Sequence, residues 1–228
     1  MTLAAQRLPK MDRILLTGFA PFGRERANPS WTIAHELDGE VISGLRVKTM
    51  RLPVNCRRAS REIAAAIAKL RPRAVLGLGQ AGGRTALSIE RVAINLASHR
   101  AGELNSLEDG KAIIRDGPDA YFSRIPHTAI LRALERQKIP ASISLSAGAY
   151  ACNAMMYSAL HALRDQPKIP VGFIHLPYDA GQAVKHPTTA SMSIEMMTAA
   201  ARTAIREIAR STSKASPRKS GARRARTT

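Results

Sequence analysis

Short apolar runs and stretches of helical periodicity alternate along most of this chain. Mostly apolar runs predict buried strands at Ile14–Leu16, Leu45–Leu52, Ala74–Leu78 and Val171–Leu176. Apolar residues three or four positions apart, with charged residues on the opposite face, predict a helix over Arg58–Leu70. Strands that alternate with helices indicate an α/β protein. We therefore predict a single-domain open α/β/α sandwich with a mostly parallel twisted sheet.

Local signals define where several further elements begin or break. Asn28 followed by Pro29 is typical of an N-cap and a first helical position, and predicts a helix to about Leu37. The segment Leu87–Leu96 has the pattern of extended chain with one irregularity near Glu90. The remaining predicted elements are helices at His127–Gln137, Tyr150–Arg164 and Thr189–Arg210 and a strand at Ala141–Ser146.

The length and composition suit one globular domain with short extensions. The chain has 228 residues, of which 45% are hydrophobic, and this is enough for one well-buried core. We predict a flexible N-terminal extension over residues 1–12, a globular domain over 13–210 and a disordered basic tail over 211–228. Every apolar run is far shorter than the ~20 residues that a bilayer requires, and the N-terminus lacks a secretory signal. The expected location is the cytoplasm, without membrane contact.

The net charge of +18 raises the possibility of a nucleic-acid-binding protein. Six Lys or Arg residues and no acid lie within 211–228, so the rest of the chain carries +18 − 6 = +12. In that remainder the basic residues are scattered and usually lie beside an acid or on a polar helix face. We interpret the charge as a solvated basic surface with a tail that could make weak, salt-dependent contacts with nucleic acid.

The two cysteines, Cys56 and Cys152, are too few for a disulfide framework or a zinc site. Their number allows a bridge between them, although disulfides are rare in the cytosol. Cys152 follows a predicted strand and a turn at Ala147-Gly148, and lies in the first turn of the next helix. A helix N-terminus favours the thiolate and can stabilise an oxyanion. Cys152 is therefore a candidate nucleophile, and the alternative is a buried structural cysteine.

Two polar residues interrupt apolar strand patterns. His175 lies near the end of a predicted strand that should reach the same sheet edge as Cys152. Its imidazole could take the proton of the thiol, or it could be a hydrogen-bonded core residue. Glu90 could orient His175 through the far ring nitrogen, or it could form an ion pair with Arg91 or a neighbouring arginine.

Four blocks of the sequence together resemble a known family of enzymes. They read LLTGFAPFG with NPSW, GLGQAGGRTALSIERVAIN, SAGAYACN and GFIHLPY. In this order and spacing they are similar to the signature blocks of the pyroglutamyl-peptidase I (pyrrolidone-carboxylate peptidase) family, over about Ile14 to Arg210. The resemblance implies a cytoplasmic cysteine peptidase that removes N-terminal pyroglutamate from peptides, with no metal or cofactor and with homotetrameric assembly. Residues 13–210 would then form the catalytic domain.

The resemblance also implies roles for individual residues. Catalysis would fall to Glu90, Cys152 and His175, which match the triad of the family. Contacts with the substrate would come from Phe19, Phe22, Gln80, Arg100 and Tyr150. A small, flat, neutral lactam suits an apolar slot that offers a few amide hydrogen bonds.

The chain departs from the family pattern at Val54, Ala149 and Ala151, and around Ala97, Ser98 and His99, where the acidic residue usual in the family is replaced. These departures leave the triad intact but could reshape the substrate slot. A scaffold that has lost its activity is therefore one alternative, and a purely basic binding protein is another.

The glycines of the second block allow one more interpretation. Gly77, Gly79 and Gly82 literally match G-x-G-x-x-G, the fingerprint of dinucleotide-binding oxidoreductases that use NAD. That motif should lead directly into a helix whose N-terminus holds the pyrophosphate. Residues 84–96 instead have the pattern of extended chain, which argues against an NAD site.

Overall fold

The computed structural model describes residues 11–98 and 110–214. The strands of this part are β1 (Arg13–Phe19), β2 (Val41–Ile42), β3 (Leu45–Leu52), β4 (Ala74–Gln80), β5 (Leu87–Glu90), β6 (Val92–Ile94), β7 (Ala120–Phe122), β8 (Ala141–Ser144) and β9 (Val171–Leu176). The helices are α1 (Pro29–Glu36), α2 (Cys56–Leu70), α3 (His127–Arg136), α4 (Ala151–Ala162), α5 (Ala180–Ala183) and α6 (Ile194–Lys214).

Seven of these strands form one twisted sheet in the order β2-β3-β1-β4-β9-β5-β8. The pairs β3–β1, β1–β4, β4–β9 and β5–β8 are parallel, whereas β2–β3 and β5–β9 are antiparallel. Strands β6 and β7 form a separate antiparallel pair. The prediction of a mostly parallel sheet is confirmed, with changes of direction at the edge strand β2 and between β9 and β5.

Helices cover both faces of the sheet. On one face, α1, α3 and α6 contribute buried apolar side chains such as Ile33, Leu134 and Ile205 to one core cluster. On the other face, α2 and α4 contribute Ile63 and Met155 to a second cluster. The predicted α/β/α sandwich is therefore confirmed.

Helix α2 illustrates how the sequence determines a local element. The Asn55 side chain caps its first turn by accepting the N–H of Arg58, and Arg71 ends the helix in a left-handed conformation. Ile63 and Ile67 share one face and are buried, as their helical spacing predicts. The strong amphipathic pattern thus determines both the helix and the face that packs on the sheet.

Several predicted boundaries are confirmed and others differ. Asn28 is the N-cap of α1, and the break in extended chain falls at Arg91, between β5 and β6. The last helix begins at Ile194 rather than near Thr189, and it continues to Lys214, four residues beyond the predicted domain end. Strands β2 and β7 and helix α5 were not predicted, because two to four residues carry too little periodicity to be recognised.

The dinucleotide-binding alternative is contradicted by the fold. Strand β4 ends at Gln80, and the next element is strand β5 rather than a helix. A pyrophosphate would therefore meet no helix N-terminus at these glycines. Within residues 11–98 and 110–214, no helix is both long and apolar enough to cross a membrane.

Candidate active site

Cys152 lies at the second residue of α4, as its position after a strand and a turn predicts. The N-cap residue of α4, Tyr150, makes no side-chain hydrogen bond to the first turn. The sulfur is half-buried, so the thiol lies at the surface of a cavity rather than within the core. Cys56 is buried at the start of α2, and the disulfide that two cysteines would allow is not formed in the described structure.

The route by which the chain brings Cys152 to this sheet edge differs from the predicted one. The prediction assumed a strand that ends at the active-site edge and leads directly into α4. Strand β8 runs parallel to β5 and therefore opposite to β9, so its first residue rather than its last lies level with the carboxyl end of β9. Residues 145–150 carry the chain back before α4 begins.

Glycines of β4 make room for side chains of α4. A Cβ atom on Gly79 would lie 2.9 Å from the Cys152 Sγ and 2.7 Å from the Phe173 ring. A Cβ atom on Gly77 would lie 2.3 Å from the same ring and 3.0 Å from the Met155 sulfur. The two glycines therefore provide the space in which the thiol reaches the carboxyl end of β4.

His175 and Glu90 form a direct, buried pair on neighbouring strands. The His175 Nδ1 and the Glu90 Oε1 are 2.7 Å apart, and the side chains are only 6% and 0% exposed. The same carboxylate oxygen accepts a hydrogen bond of 2.8 Å from Arg84 Nη1. Arg91, the first partner considered for Glu90, instead contacts His127 at 3.2 Å. Glu90 therefore forms an ion pair with a neighbouring arginine and also contacts His175.

The surroundings of this pair lower the pKa of both Glu90 and His175. Burial raises the pKa of Glu90, but hydrogen bonds from His175 and Arg84 outweigh it, so the net pKa lies below the ordinary value. Burial, together with the positive charge of Arg84, lowers the pKa of His175 in spite of the contact with Glu90. Glu90 is therefore held as a carboxylate, which favours the tautomer of His175 that carries its proton on Nδ1 and leaves Nε2 unprotonated.

The thiol and the imidazole line one cavity of about 550 Å³ at the carboxyl ends of β1, β4 and β9. Its wall includes six residues predicted from the sequence: Phe19, Phe22, Gln80, Tyr150, Cys152 and His175. His175 and Arg84 complete its reactive side, and Glu90 lies behind His175. Open α/β sheets place ligand sites at such strand ends.

Comparison with known proteins agrees with this geometry. The sequence model of the family described as pyroglutamyl peptidase matches residues 12–211. The chain belongs to the pyroglutamyl peptidase family. A pyrrolidone-carboxylate peptidase of Yersinia pestis is 42% identical over 197 residues, which cover 86% of this chain and 92% of the relative.

Solved structures of family members have the same fold. The pyroglutamyl peptidase I of Bacillus amyloliquefaciens superposes with a TM-score of 0.83 at 33% identity, covering 88% of this chain and 96% of that one. The pyrrolidone carboxyl peptidase of Pyrococcus furiosus gives a TM-score of 0.82 at 37% identity, with coverages of 88% and 99%. The family name thus rests on both sequence and fold.

The predicted substrate residues differ in their positions within this family site. Phe19 is buried at the end of β1, with its ring centroid 6.3 Å from that of Phe173. Phe22 is half-buried in the loop that follows, and Gln80 ends β4. Arg100 lies outside the described residues, so its predicted contact with the substrate stays a prediction.

Two of the residues that depart from the family pattern reach the cavity. Val54 and Ala151 contribute to its wall. The carbonyl of Ala149 accepts the N–H of Ser98 at 2.8 Å, which ties the turn before α4 to the chain that follows β6. The cavity shape therefore depends directly on two of these departures.

Sequence reasoning missed several residues of the site. Arg84 and Tyr178 line the cavity, and Gln182 lies behind Gln80. Glu25 and His186, which are 3.0 Å apart, join the loop that carries Phe22 to the chain after α5. Arg84 and Tyr178 lie within recognised blocks and could have been proposed, whereas Gln182, Glu25 and His186 have no local signal, because their roles depend on distant partners.

Proposed function

We propose that the chain is a cysteine peptidase that removes N-terminal pyroglutamate from peptides, with Cys152 as nucleophile. The observation that carries the proposal is the shared cavity of Cys152 and His175, with Glu90 bonded to the far side of the imidazole. Thiol, base and orienting carboxylate are the three parts of a cysteine-peptidase site. The membership of the family supports the substrate class.

The reaction follows from the roles of the ring nitrogens. Since Nδ1 of His175 is engaged by Glu90, Nε2 takes the proton of the Cys152 thiol. The thiolate attacks the carbonyl carbon of the pyroglutamyl bond, and the N–H groups at the start of α4 stabilise the oxyanion. His175 then returns the proton to the leaving amine, and a thioester links the pyroglutamyl group to Cys152.

Hydrolysis of the thioester completes the cycle. Water loses a proton to His175 Nε2 and attacks the thioester carbonyl, which releases pyroglutamic acid and restores the thiol. We assign the walls of the ring slot to Phe19 and Phe22, a hydrogen bond to Gln80 and further contact to Tyr150. Arg100 keeps its proposed contact with the substrate.

Location, assembly and the tail are parts of the same proposal. We infer a cytoplasmic enzyme, because the proposed nucleophile is a free thiol, which a reducing compartment preserves. We infer a homotetramer from the family resemblance. The basic residues of 211–228 support weak electrostatic contact with nucleic acid, separate from hydrolysis.

The decisive experiment is release of a fluorescent amine from a pyroglutamyl amide, with a prolyl amide as the comparison substrate. We expect selective cleavage by the wild type and its loss, by at least about 1000-fold, in Cys152→Ala, because the covalent pathway is removed. Cys56→Ala is the matched control and should keep most of the activity, since Cys56 is buried away from the cavity. Full activity of Cys152→Ala would overturn the proposal.

A further inference from the structure

Gln182 lies behind the substrate cavity and contacts the wall residue Gln80. Its Nε2 donates a hydrogen bond of 2.9 Å to the Gln80 Oε1, and the two residues are 5% and 9% exposed. Gln80 lines the cavity, whereas Gln182 is not part of its wall. Through this hydrogen bond, the buried Gln182 amide can determine which end of the Gln80 amide faces a ligand in the cavity.

Two backbone groups fix the orientation of the Gln182 side chain. The Asp179 N–H, which can only donate, lies 3.2 Å from Gln182 Oε1. The Ala27 carbonyl, which can only accept, lies 3.5 Å from Gln182 Nε2. The Asp179 side chain in turn accepts the backbone N–H of Gln182 at 2.9 Å, completing a capping box at α5. The Gln182 side-chain oxygen must therefore face the Asp179 N–H, and its NH₂ group must face the Ala27 carbonyl.

This orientation is passed on to Gln80. Because Gln182 presents N–H groups, Gln80 must turn its oxygen toward Gln182 and its own NH₂ group away from it. Within the described part of the chain, the Gln80 Nε2 donates no hydrogen bond. The wall of the cavity thus carries a hydrogen-bond donor whose direction is set from behind.

We propose that Gln182 is a positioning residue that makes the site selective for a ring carbonyl. This inference rests on the proposed function: Gln80 donates to the lactam oxygen of the pyroglutamyl ring, and Gln182 keeps the donor in place. A prolyl ring has no such oxygen, so the donor would lose its partner. The same donor would discriminate against any ring in which the carbonyl is replaced by a methylene group.

Two substitutions of Gln182 test whether it orients the Gln80 amide or only supports helix α5. In Gln182→Glu, one oxygen still accepts the Asp179 N–H, but the other attracts the NH₂ group of Gln80 and turns the Gln80 oxygen into the cavity. In Gln182→Met, the side-chain hydrogen bonds with Asp179, Ala27 and Gln80 are all lost, and Gln80 keeps no preferred orientation. Orientation control predicts that the Glu variant loses protection more than the Met variant at an unchanged rate of alkylation. A general disturbance by the new carboxylate, which would lie near Glu25 and the Ala27 carbonyl, would lower protection and alkylation together.

Ligand binding is measured without turnover, through protection of Cys152 from iodoacetamide by 2-pyrrolidone in a Cys56→Ala background. We expect the half-protecting concentration to rise about 10- to 100-fold in Gln182→Glu and less in Gln182→Met. The rate of alkylation without 2-pyrrolidone should stay that of the parent, since the thiol and His175 are untouched. Gln137→Glu, in a similar side-chain contact with Thr203 far from the cavity, is the control and should not change protection.

The outcomes separate this inference from the proposed function. A Met variant that is as impaired as the Glu variant or more so, or parallel losses of alkylation and protection, would overturn the inference. If Gln182→Glu fails to fold, Gln80→Glu replaces it: a carboxylate cannot donate, so protection must fall, and retained protection would contradict the donor role. If pyroglutamyl amides are not cleaved but the expected order of protection holds, the proposed function fails and this inference stands.

Discussion

At the scale of single residues, Arg84 adds a third charged side chain to the Glu90–His175 pair. Its guanidinium donates to the same carboxylate oxygen that contacts His175, and it also lines the cavity. The arginine stabilises the buried carboxylate, and its positive charge opposes protonation of the imidazole. Arg84 is thus positioned to set the pH range in which the site operates.

Replacing Arg84 with glutamine should lower kcat/KM for a pyroglutamyl amide about 10- to 100-fold, as expected for a lost hydrogen bond to a charged group. Removing the cation raises the pKa of both Glu90 and His175, so the pH–rate profile should move to higher pH. Arg202→Gln, which breaks ion pairs with Glu36 and Glu40 far from the cavity, is the control. A profile that stays in place would show that Arg84 has only a packing role.

Replacing Gly79 with alanine should impair catalysis through sterics alone. The added Cβ would lie 2.9 Å from the Cys152 sulfur, so the helix or the thiol must move, and such a displacement costs about 100-fold in rate. Overpacking should also lower the free energy of unfolding by about 1–3 kcal/mol.

Gly172→Ala provides the matched control for this prediction. Its Cβ would crowd Ile125 and Ser123 at 2.7 Å, away from the thiol, so stability should fall while activity per folded molecule is kept. The measurement combines urea unfolding with amide hydrolysis and the rate of Cys152 alkylation. Equal loss of activity in both variants would mean that overpacking of the sheet, rather than thiol placement, is responsible.

At the scale of elements, the start of α3 packs against the chain between β5 and β6 and buries a histidine that the mechanism does not use. His127 begins α3 and is 5% exposed, with Nδ1 3.2 Å from Arg91. Burial and the charge of Arg91 lower the pKa of His127 to about 4. The folded protein therefore keeps this ring neutral at a pH where an unfolded chain would protonate it.

This contact predicts a specific dependence of stability on pH. The unfolded chain binds a proton at His127 below pH ~6.5, and the folded protein does so only near pH 4, so stability is lost as the pH falls through this window. The loss from this group amounts to about 3 kcal/mol. His127→Gln should remove that part of the slope in urea unfolding measured from pH 7 to 4.5. An equal slope in wild type and His127→Gln would contradict the assignment.

At the scale of the whole molecule, the sheet order explains why the site draws on most of the chain. Phe19 and Gln80 end strands β1 and β4, and His175 is the last but one residue of the adjacent strand β9, although 156 positions (175 − 19) separate Phe19 from His175. The antiparallel strand β5 then brings Glu90 beside His175. The site is therefore a product of strand order rather than of any one segment.

The C-terminal segment should be separable from this site. Helix α6 continues to Lys214, so a truncation should begin at residue 215 and not at 211. Removing residues 215–228 takes away five Lys or Arg and no acid, which lowers the net charge to +18 − 5 = +13. We expect hydrolysis to be unchanged and binding to DNA at low salt to weaken strongly. Unchanged DNA binding would assign the contact to the folded basic surface, and loss of hydrolysis would contradict the separation.

Most of the elements, and the rare reactive residues, could be predicted from the sequence itself. The period of apolar residues determines whether a segment can bury one face as a helix or a strand, as it does for α2 and β9. The resemblance of the four blocks pointed to Glu90, Cys152 and His175, because each lies in a short motif that can be recognised without knowing its contacts in the folded protein. Local signals also identified Asn28 as a cap.

Only the tertiary structure decided how these parts meet. The reversal of direction between β9 and β5 depends on strand pairing, which no local period specifies, so the route to α4 could not be predicted. The roles of Arg84 and Gln182 depend on hydrogen bonds between residues 6 and 102 positions apart. Buried polar groups need hydrogen-bond partners, and the packing of the whole chain determines which distant residues become those partners.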